Sequence, residues 1–409
     1  MLDPETNRPA GHLPEAFIEK WVYGGRGLAR VDGRVWLVPF VLPGETVRVE
    51  AERDRPGLIE GRLVEIVTAS PERRDPPCPY FGRCGGCHYQ HAGYEFQLVQ
   101  KREVLREVLR RVGKLDAPDE IETVSASPWE YRNRVQLHLA GGEIGYLEAA
   151  SNRLCPVEHC PVSSPESNQA LGMLRGMARD SRFPSFVRSL ELFTNGAEVQ
   201  VNVLESARPV ARRFFDWCAE SIPGATLGTL DYPAAGRVFR VGHRSFFQVN
   251  RFLIDELVTR SLERAEGASA VDLYAGVGLF SLALASRFNS VTAVESGASA
   301  SGDLEFNAAR ASLEVRVERT TAESYLGRLA QPPDFVLADP PRAGLGKTVV
   351  RELIRLRPPR VTIVACDPAT LARDLAGLVA GGYRVDRVTL VDLFPQTYHL
   401  ETIVHVSLP

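Results

Sequence analysis

The sequence has no run of 18 apolar residues, which excludes an ordinary membrane-spanning helix. It has no excess of charge of either sign, with 48 Lys and Arg against 51 Asp and Glu. No overall field therefore draws the chain to nucleic acid or an anionic membrane, and RNA contact requires a local patch. Cysteine is scarce and odd in number, seven in 409 residues, which excludes a secreted disulfide framework. The first residues, MLDPETNRPAGHLPEAF, lack the basic-then-apolar order of a signal peptide. Internal repeats and low-complexity tracts are also missing. A composition of 44% hydrophobic and 24% charged residues excludes wholesale disorder, a collagen and a coiled coil. The expectation is a cytoplasmic protein of two or three domains with no membrane association.

Residues 17–67 alternate apolar and polar positions between the turn signals Gly24-Gly25, Asp32-Gly33 and Pro43-Gly44, which predicts a small five-stranded barrel. Pattern alone fits a generic barrel and an oligonucleotide-binding one equally. Arg26, Arg30, Arg34 and Arg48, with Trp21, Tyr23 and Trp36 available to stack on bases, lean toward RNA. A loop rich in Pro, Arg and Cys follows, then a helical stretch over 94–112 in which Lys101, Arg102, Arg106, Arg110 and Arg111 interleave with Leu98, Leu105 and Leu109. A solvated face is the ordinary reading of such a helix. Residues 120–240 mix short strands with helices, as an α+β insert does. From 241 to 409 strand and helix alternate, which predicts a doubly wound, mostly parallel sheet.

In that last segment the strand AVDLY runs into a glycine turn, with Gly276 and Gly278, that opens a helix. Such a turn lets a ligand approach the backbone closely. Ser281 stands where a dinucleotide fingerprint has its third glycine, and Glu295 ends the next strand, where a carboxylate can accept from ribose hydroxyls. This combination suits a nucleoside-type ligand such as S-adenosylmethionine better than NAD. Parallel strands present their carboxyl ends at one edge, so Tyr274, Glu295, Asp339 and Cys366 converge there. An antiparallel last strand over 401–408 adds Glu401. A lone strand-end Cys is more often inert core, and a lone Glu more often solvated. Beside a methyl donor the set has a chemical meaning: a thiolate adds to C6 of a uracil, C5 attacks the methyl group, and a base removes the C5 proton. Cys366 is then the nucleophile and Glu401 the base.

Cys78, Cys84 and Cys87 supply three soft ligands in one loop, and a fourth must be Cys155 or Cys160. Four thiolates suit tetrahedral zinc or a [4Fe–4S] cluster, and spacing does not separate them. The spacing is not the C-x3-C-x2-C of radical enzymes. Cys218, in FFDWCAE, reads as core.

VDLYAGVGLFSLALA, FVLADPPRAGL, VACDPATLARDL, LFPQTYHLE and SFFQVN together resemble the RNA (uracil-5-)-methyltransferases, in particular the 23S ribosomal RNA branch. GGRGLARVDGRVWLVPFVLPGE resembles a TRAM barrel and CPYFGRCGGCHYQH that branch's iron–sulfur segment, so the likeness covers nearly the whole chain. The resemblance implies a multidomain α/β protein. An OB-like TRAM barrel would span 10–70, and a central α+β domain with the metal cluster would span 71–92 and 120–240. A Rossmann-like S-adenosylmethionine methyltransferase domain would take 93–119 and 241–409, so the basic helix packs with the catalytic part. It further implies that Cys366 is the nucleophile and Glu401 the proton acceptor. Gln248, Tyr274, Glu295 and Asp339 then line the donor and uracil pocket, and Cys78, Cys84, Cys87 and Cys160 hold a closed [4Fe–4S] cluster that organises the RNA surface. The implied partner is 23S ribosomal RNA, bound by a monomer.

Two positions depart from the family pattern. Ala275 replaces a Cys, which only removes a spare thiol. Asp367 replaces an Asn after the nucleophile, and its charge would raise the pKa of Cys366 unless the carboxylate points away. Three rivals remain. An amino-methyltransferase is suggested by Asp339-Pro340-Pro341 but opposed by Arg342 in place of an aromatic residue and by Cys366. A transfer RNA uracil-5-methyltransferase is opposed by the barrel and cysteine segment. A non-catalytic RNA-binding protein would be expected to lose the nucleophile or base, and both are present.

Overall fold

The computed structural model describes residues 13–116 and 120–409. The leader reading on the first twelve residues, the start of the 10–70 barrel span and the end of the 93–119 segment lie outside the described residues. Strands β1 (Glu15–Val22), β2 (Arg26–Val31), β3 (Arg34–Pro39), β4 (Thr46–Arg55) and β5 (Leu58–Thr68) close into a barrel in the order β1-β2-β3-β5-β4. The inward positions of the alternation, among them Ile18, Ala29, Trp36, Val38, Val47 and Ile59, form its core. Two features differ from the RNA-stacking expectation. Trp36 is buried inside the barrel, and Trp21 lies flat on Tyr89 with ring centroids 3.9 Å apart. Arg26, Arg30, Arg34 and Arg48 each pair with a carboxylate of the barrel itself. Period-two alternation tells which face a residue occupies, but not that a second unit covers that face.

Helix α1 (Tyr94–Gly113) and strand β6 (Glu122–Val124) lead into the central unit. There β7 (Arg134–Ala140), β8 (Glu143–Leu147), β9 (Leu154–Pro156), β10 (Val187–Thr194), β11 (Val199–Ser206) and β12 (Ala225–Thr226) form a sheet in the order β12-β11-β10-β7-β8-β9. Helices α2 (Pro165–Ala178) and α3 (Arg212–Ser221) bury Leu171, Leu174, Phe214 and Cys218 against it, so Cys218 is core. The hairpin β13 (Thr229–Ala234) and β14 (Arg237–Gly242) and helix α4 (Ile254–Ser261) come next.

The catalytic unit then alternates β15 (Ser269–Leu273), α5 (Leu279–Leu284), β16 (Ser290–Val294), α6 (Ala298–Arg310), β17 (Arg316–Glu318), α7 (Ala322–Arg328) and β18 (Phe335–Ala338). It ends with α8 (Gly346–Leu356), β19 (Arg360–Ala365), α9 (Pro368–Ala380), β20 (Arg384–Val391) and β21 (Glu401–Ser407). The sheet order is β17-β16-β15-β18-β19-β21-β20-β6, parallel except for β21, which runs antiparallel to both β19 and β20. Two segments inside the 120–240 span therefore serve the catalytic unit. β6 pairs with β20, and the hairpin sends Leu230, Tyr232, Phe239 and Val241 into the catalytic core. A three-residue strand is too short for periodicity to reveal.

Helix α1 packs on α9 and buries Leu105 and Leu109 in the catalytic core. Lys101, read above as part of a solvated face, is buried with its Nζ 2.6 Å from Asp392 Oδ1 and 2.9 Å from the Phe394 carbonyl. The Tyr94 hydroxyl donates to the other Asp392 oxygen at 2.8 Å. Removing one partner of a buried pair leaves the other charge without compensation. Lys101→Met should therefore lower unfolding free energy by about 3–5 kcal/mol in urea titrations. Adding Asp392→Asn should recover most of that loss, and a single variant as stable as the parent would show that Asp392 needs no cation.

Candidate active site

The site is built at the carboxyl edge of the catalytic sheet. β15 leads into a turn in which Tyr274, Gly276 and Gly278 all have positive φ, at 62°, 56° and 95°. Glycine reaches those angles without strain, which is why this turn carries it. A Cβ at Gly276 would meet nothing within 4 Å, so the turn is open on that side. The Gly276 N–H donates to Glu295 Oε2 at 2.9 Å, tying the glycine turn to the end of β16, and the Gly297 N–H donates to Oε1 at 2.6 Å. Tyr274 is half-buried against the core at the turn's start.

Beneath the turn, the Ser281 hydroxyl donates to the fully buried Asp272. Burial, with the charges of Asp339 and Glu295, pushes the Asp272 carboxyl up to about 7, and its Oδ1 has no hydrogen-bond partner. Sequence reasoning missed this acid, although it lies inside the quoted motif. The available signal was a carboxylate in the middle of an otherwise apolar strand, paired with the Ser that replaces the third glycine.

On the other side of the edge, Asp339 directly follows β18, Cys366 directly follows β19 and Glu401 begins β21. The antiparallel register pairs Ala365 with Thr402, which sets Cys366 beside Glu401. Gln248 donates through Nε2 to Asp339 Oδ2 at 3.4 Å. Burial raises the pKa values of both Asp339 and Glu401, and Asp339 raises Glu401 further, so both carboxyls are shifted toward the neutral form. The Cys366 thiol is pushed up to about 11 by burial first and then by Glu401 and Asp339, while Arg342 opposes the rise. Asp367 is turned to the N-terminus of α9, where Oδ1 accepts from the Ala369 and Thr370 N–H groups at 3.0 and 2.9 Å. The structure thus brings Gln248, Asp339, Cys366 and Glu401 together, and beside them Tyr274, Gly276, Gly278 and Glu295.

Away from this edge, Cys78, Cys84, Cys87 and Cys160 line one partly open cavity of about 40 Å³ with Arg132 and Tyr146. Cys155 is buried in β9 and does not line that cavity. Burial pushes the thiols of Cys84 and Cys87 up to about 11 and 12. The Arg132 Nε, which faces this region, is buried without a partner. Among the described residues, no three His, Cys, Asp or Glu converge tightly enough to hold a single metal ion. No helix among them is long and apolar enough to cross a membrane.

Residues 230–408 match the family described as tRNA (Uracil-5-)-methyltransferase, and residues 15–64 match the TRAM domain. A 23S rRNA (uracil(1939)-C(5))-methyltransferase RlmD of Halomonas elongata is 34% identical, with 97% of this chain and 89% of the relative covered. The chain belongs to the RNA (uracil-5-)-methyltransferase family. A similar relative from Chromohalobacter salexigens, also named RlmD, is 35% identical over 95% of this chain and 88% of its own length. A tRNA (uracil-54, C5)-methyltransferase of Pyrococcus abyssi, solved with S-adenosyl-L-homocysteine, shares the fold with a TM-score of 0.73 and 24% identity, covering 96% of this chain and 100% of that one. The methyltransferase is S-adenosylmethionine-dependent by family.

Asp272 gives a pH test in the donor-free methyltransferase. Its folded-state pKa lies above the unfolded value of 3.8, so the fold binds a proton that the unfolded chain releases. Its contribution to stability is greatest below about pH 4 and is lost as pH rises through 7. Melting temperature should fall less steeply between pH 5 and 8 in Asp272→Asn than in the parent. Parallel curves would show that Asp272 is already ionised in the fold.

Proposed function

We propose that the protein methylates C5 of a uridine in 23S ribosomal RNA through a covalent adduct between Cys366 and C6. The observation that carries this reading is the placement of Cys366 next to Glu401 at the carboxyl edge, with Asp339 and Gln248 beside them. When bound, S-adenosylmethionine supplies an electrophilic methyl group on a sulfonium centre. Cys366 reacts as the thiolate, the form favoured by the nearby Arg342 guanidinium. Its sulfur bonds to C6, and the electron pair released at C5 forms the bond to the methyl carbon as the sulfonium–methyl bond breaks, its electron pair staying on the departing thioether sulfur. Glu401 as carboxylate then takes the C5 proton, the C5–C6 double bond re-forms and the C6–S bond breaks. Gln248 orients Asp339, whose charge raises the pKa of Glu401 and so bears on how readily that base is freed.

The substrate reading rests on the 34% and 35% identical relatives named for 23S rRNA. A tRNA-acting enzyme shares the fold over 96% of this chain, so the barrel alone does not separate the two substrates. Mapping 5-methyluridine in a deletion strain should show loss from 23S rRNA with tRNA unchanged, and the reverse pattern would transfer the assignment to tRNA. Cys366→Ala should abolish methyl transfer and leave donor binding intact, measured by calorimetry. Turnover within about tenfold of the parent would remove Cys366 as nucleophile. Glu401→Gln should instead accumulate a denaturant-resistant protein–RNA adduct on gels, because addition proceeds and proton removal stalls.

For the cysteine cavity we propose a [4Fe–4S] cluster held by Cys78, Cys84, Cys87 and Cys160. The four thiols line one cavity, and it is the resemblance of CPYFGRCGGCHYQH to an iron–sulfur segment that favours the cluster over tetrahedral zinc. The unpartnered Arg132 Nε gives a cation beside what would be a net-negative group. Anaerobically purified protein should contain roughly four irons per chain. Cys160→Ser should lose them and Cys155→Ser should keep them, by metal analysis, while stoichiometric zinc would overturn the proposal.

A further inference from the structure

The barrel reaches the catalytic edge directly. Its β1–β2 turn, Tyr23-Gly24-Gly25, enters between His88 and Tyr398: a Cβ added at Gly25 would lie 3.0 Å from the Tyr398 ring and 3.2 Å from the His88 ring. Tyr23 is half-buried there and meets Tyr398 edge-on, with centroids 5.6 Å apart. Its hydroxyl donates to Asp367 Oδ2 at 3.1 Å. The other oxygen of Asp367 is held by the first two N–H groups of α9. Tyr23 thus completes the set of donors around the carboxylate that directly follows Cys366.

We propose that Tyr23 of the barrel is a positioning residue for methyl transfer, holding the Asp367 carboxylate off the Cys366 thiol. The proposal rests on the reading of Cys366 as nucleophile. An Asn at 367 would cap α9 as well as Asp does, since both side chains accept from the same N–H groups. The Asp adds a negative charge one residue from a sulfur that must ionise. Three donors on that carboxylate disperse its charge and fix its direction, one of them from a part of the chain 344 residues away. Tyr23 keeps its own proton, because burial and then Asp367 raise its pKa. The other groups that face the thiol are Glu401 from β21 and Asp339 from the end of β18, which disfavour the thiolate, and Arg342, which favours it. Tyr23 also lies close enough to Cys366 for the two to interact directly, so the Asp367→Asn background is needed to separate that direct effect from the Asp367 arm.

The consequence is that the barrel bears on chemistry as well as on RNA. The test measures the thiol without turnover: iodoacetamide alkylation of the full-length protein from pH 6 to 12, with the Cys366 peptide followed by mass spectrometry. Tyr23→Phe should raise the midpoint of Cys366 alkylation by about half a pH unit, a roughly threefold slowing at pH 8, because the charged neighbour loses a donor. In the Asp367→Asn background the same Tyr23→Phe change should leave the midpoint where it is. With substrate, Tyr23→Phe should lower kcat by a similar factor and leave KM for the donor unchanged. An unmoved midpoint in the native background would overturn the proposal, as would an equal movement with Asp367→Asn. If Tyr23→Phe moves alkylation while Cys366→Ala retains turnover, the nucleophile reading fails and the Tyr23–Asp367 contact still governs the thiol.

Discussion

The buried contact between Lys101 and Asp392 fixes a loop that has no secondary structure of its own. Residues 392–400 join β20 to β21, and polar backbone without a ladder must find partners elsewhere. Here each partner comes from a different part of the chain. His88 and Tyr89, from the cysteine segment, donate to the Gln396 carbonyl at 2.8 and 3.0 Å. Gln97 of α1 donates to the Gln396 side chain at 3.0 Å, Tyr131 to the Pro395 carbonyl at 3.1 Å and Asn250 to the Leu393 carbonyl at 3.1 Å. Tyr398 receives the barrel turn. The loop ends at Glu401, so every one of these contacts helps decide where that carboxyl sits.

Much of this architecture was legible beforehand, for a physical reason. Strands buried on both faces read as apolar runs, and turns at their ends carry glycine, so β15 to β21 stood out. The rule that ligands bind at the carboxyl edge then gathered Glu295, Asp339 and Cys366 without any coordinates, and Glu401 joined them once the last strand ran antiparallel. What stayed hidden depends on contacts distant in sequence. Lys101 is identical in pattern to its solvated neighbours on α1 and differs only in meeting Asp392. Trp21 occupies a regular strand position and differs only in meeting Tyr89. Ser281 read as a defect in a fingerprint and proves to be the partner of Asp272.

The acids of the edge share one property. Asp272, Asp339 and Glu401 are all shifted toward the neutral form by burial, and Asp339 strengthens the shifts of the other two. A cleft that raises several carboxyl groups at once is complementary to a ligand carrying positive charge, because such a ligand relieves the repulsion that burial concentrates. The Cys366 thiol lies inside the same field and is held back by it. Cys366 and the acids at two other strand ends are thus linked electrostatically.

The pairing of β6 with β20 also bears on how the polypeptide is made. β6 leaves the ribosome early, and its partner follows only after the central sheet and five strands of the catalytic sheet have been synthesised. The barrel and central sheet close on local pairings and can form as they emerge, whereas the catalytic sheet depends on contacts of long sequence separation, which form slowly. Until β20 and β21 arrive, β19 presents an open edge of the kind that invites pairing with another chain. Nascent chains stalled before Arg384 would therefore expose an aggregation-prone margin and depend on chaperones, although most of their length already has its final shape.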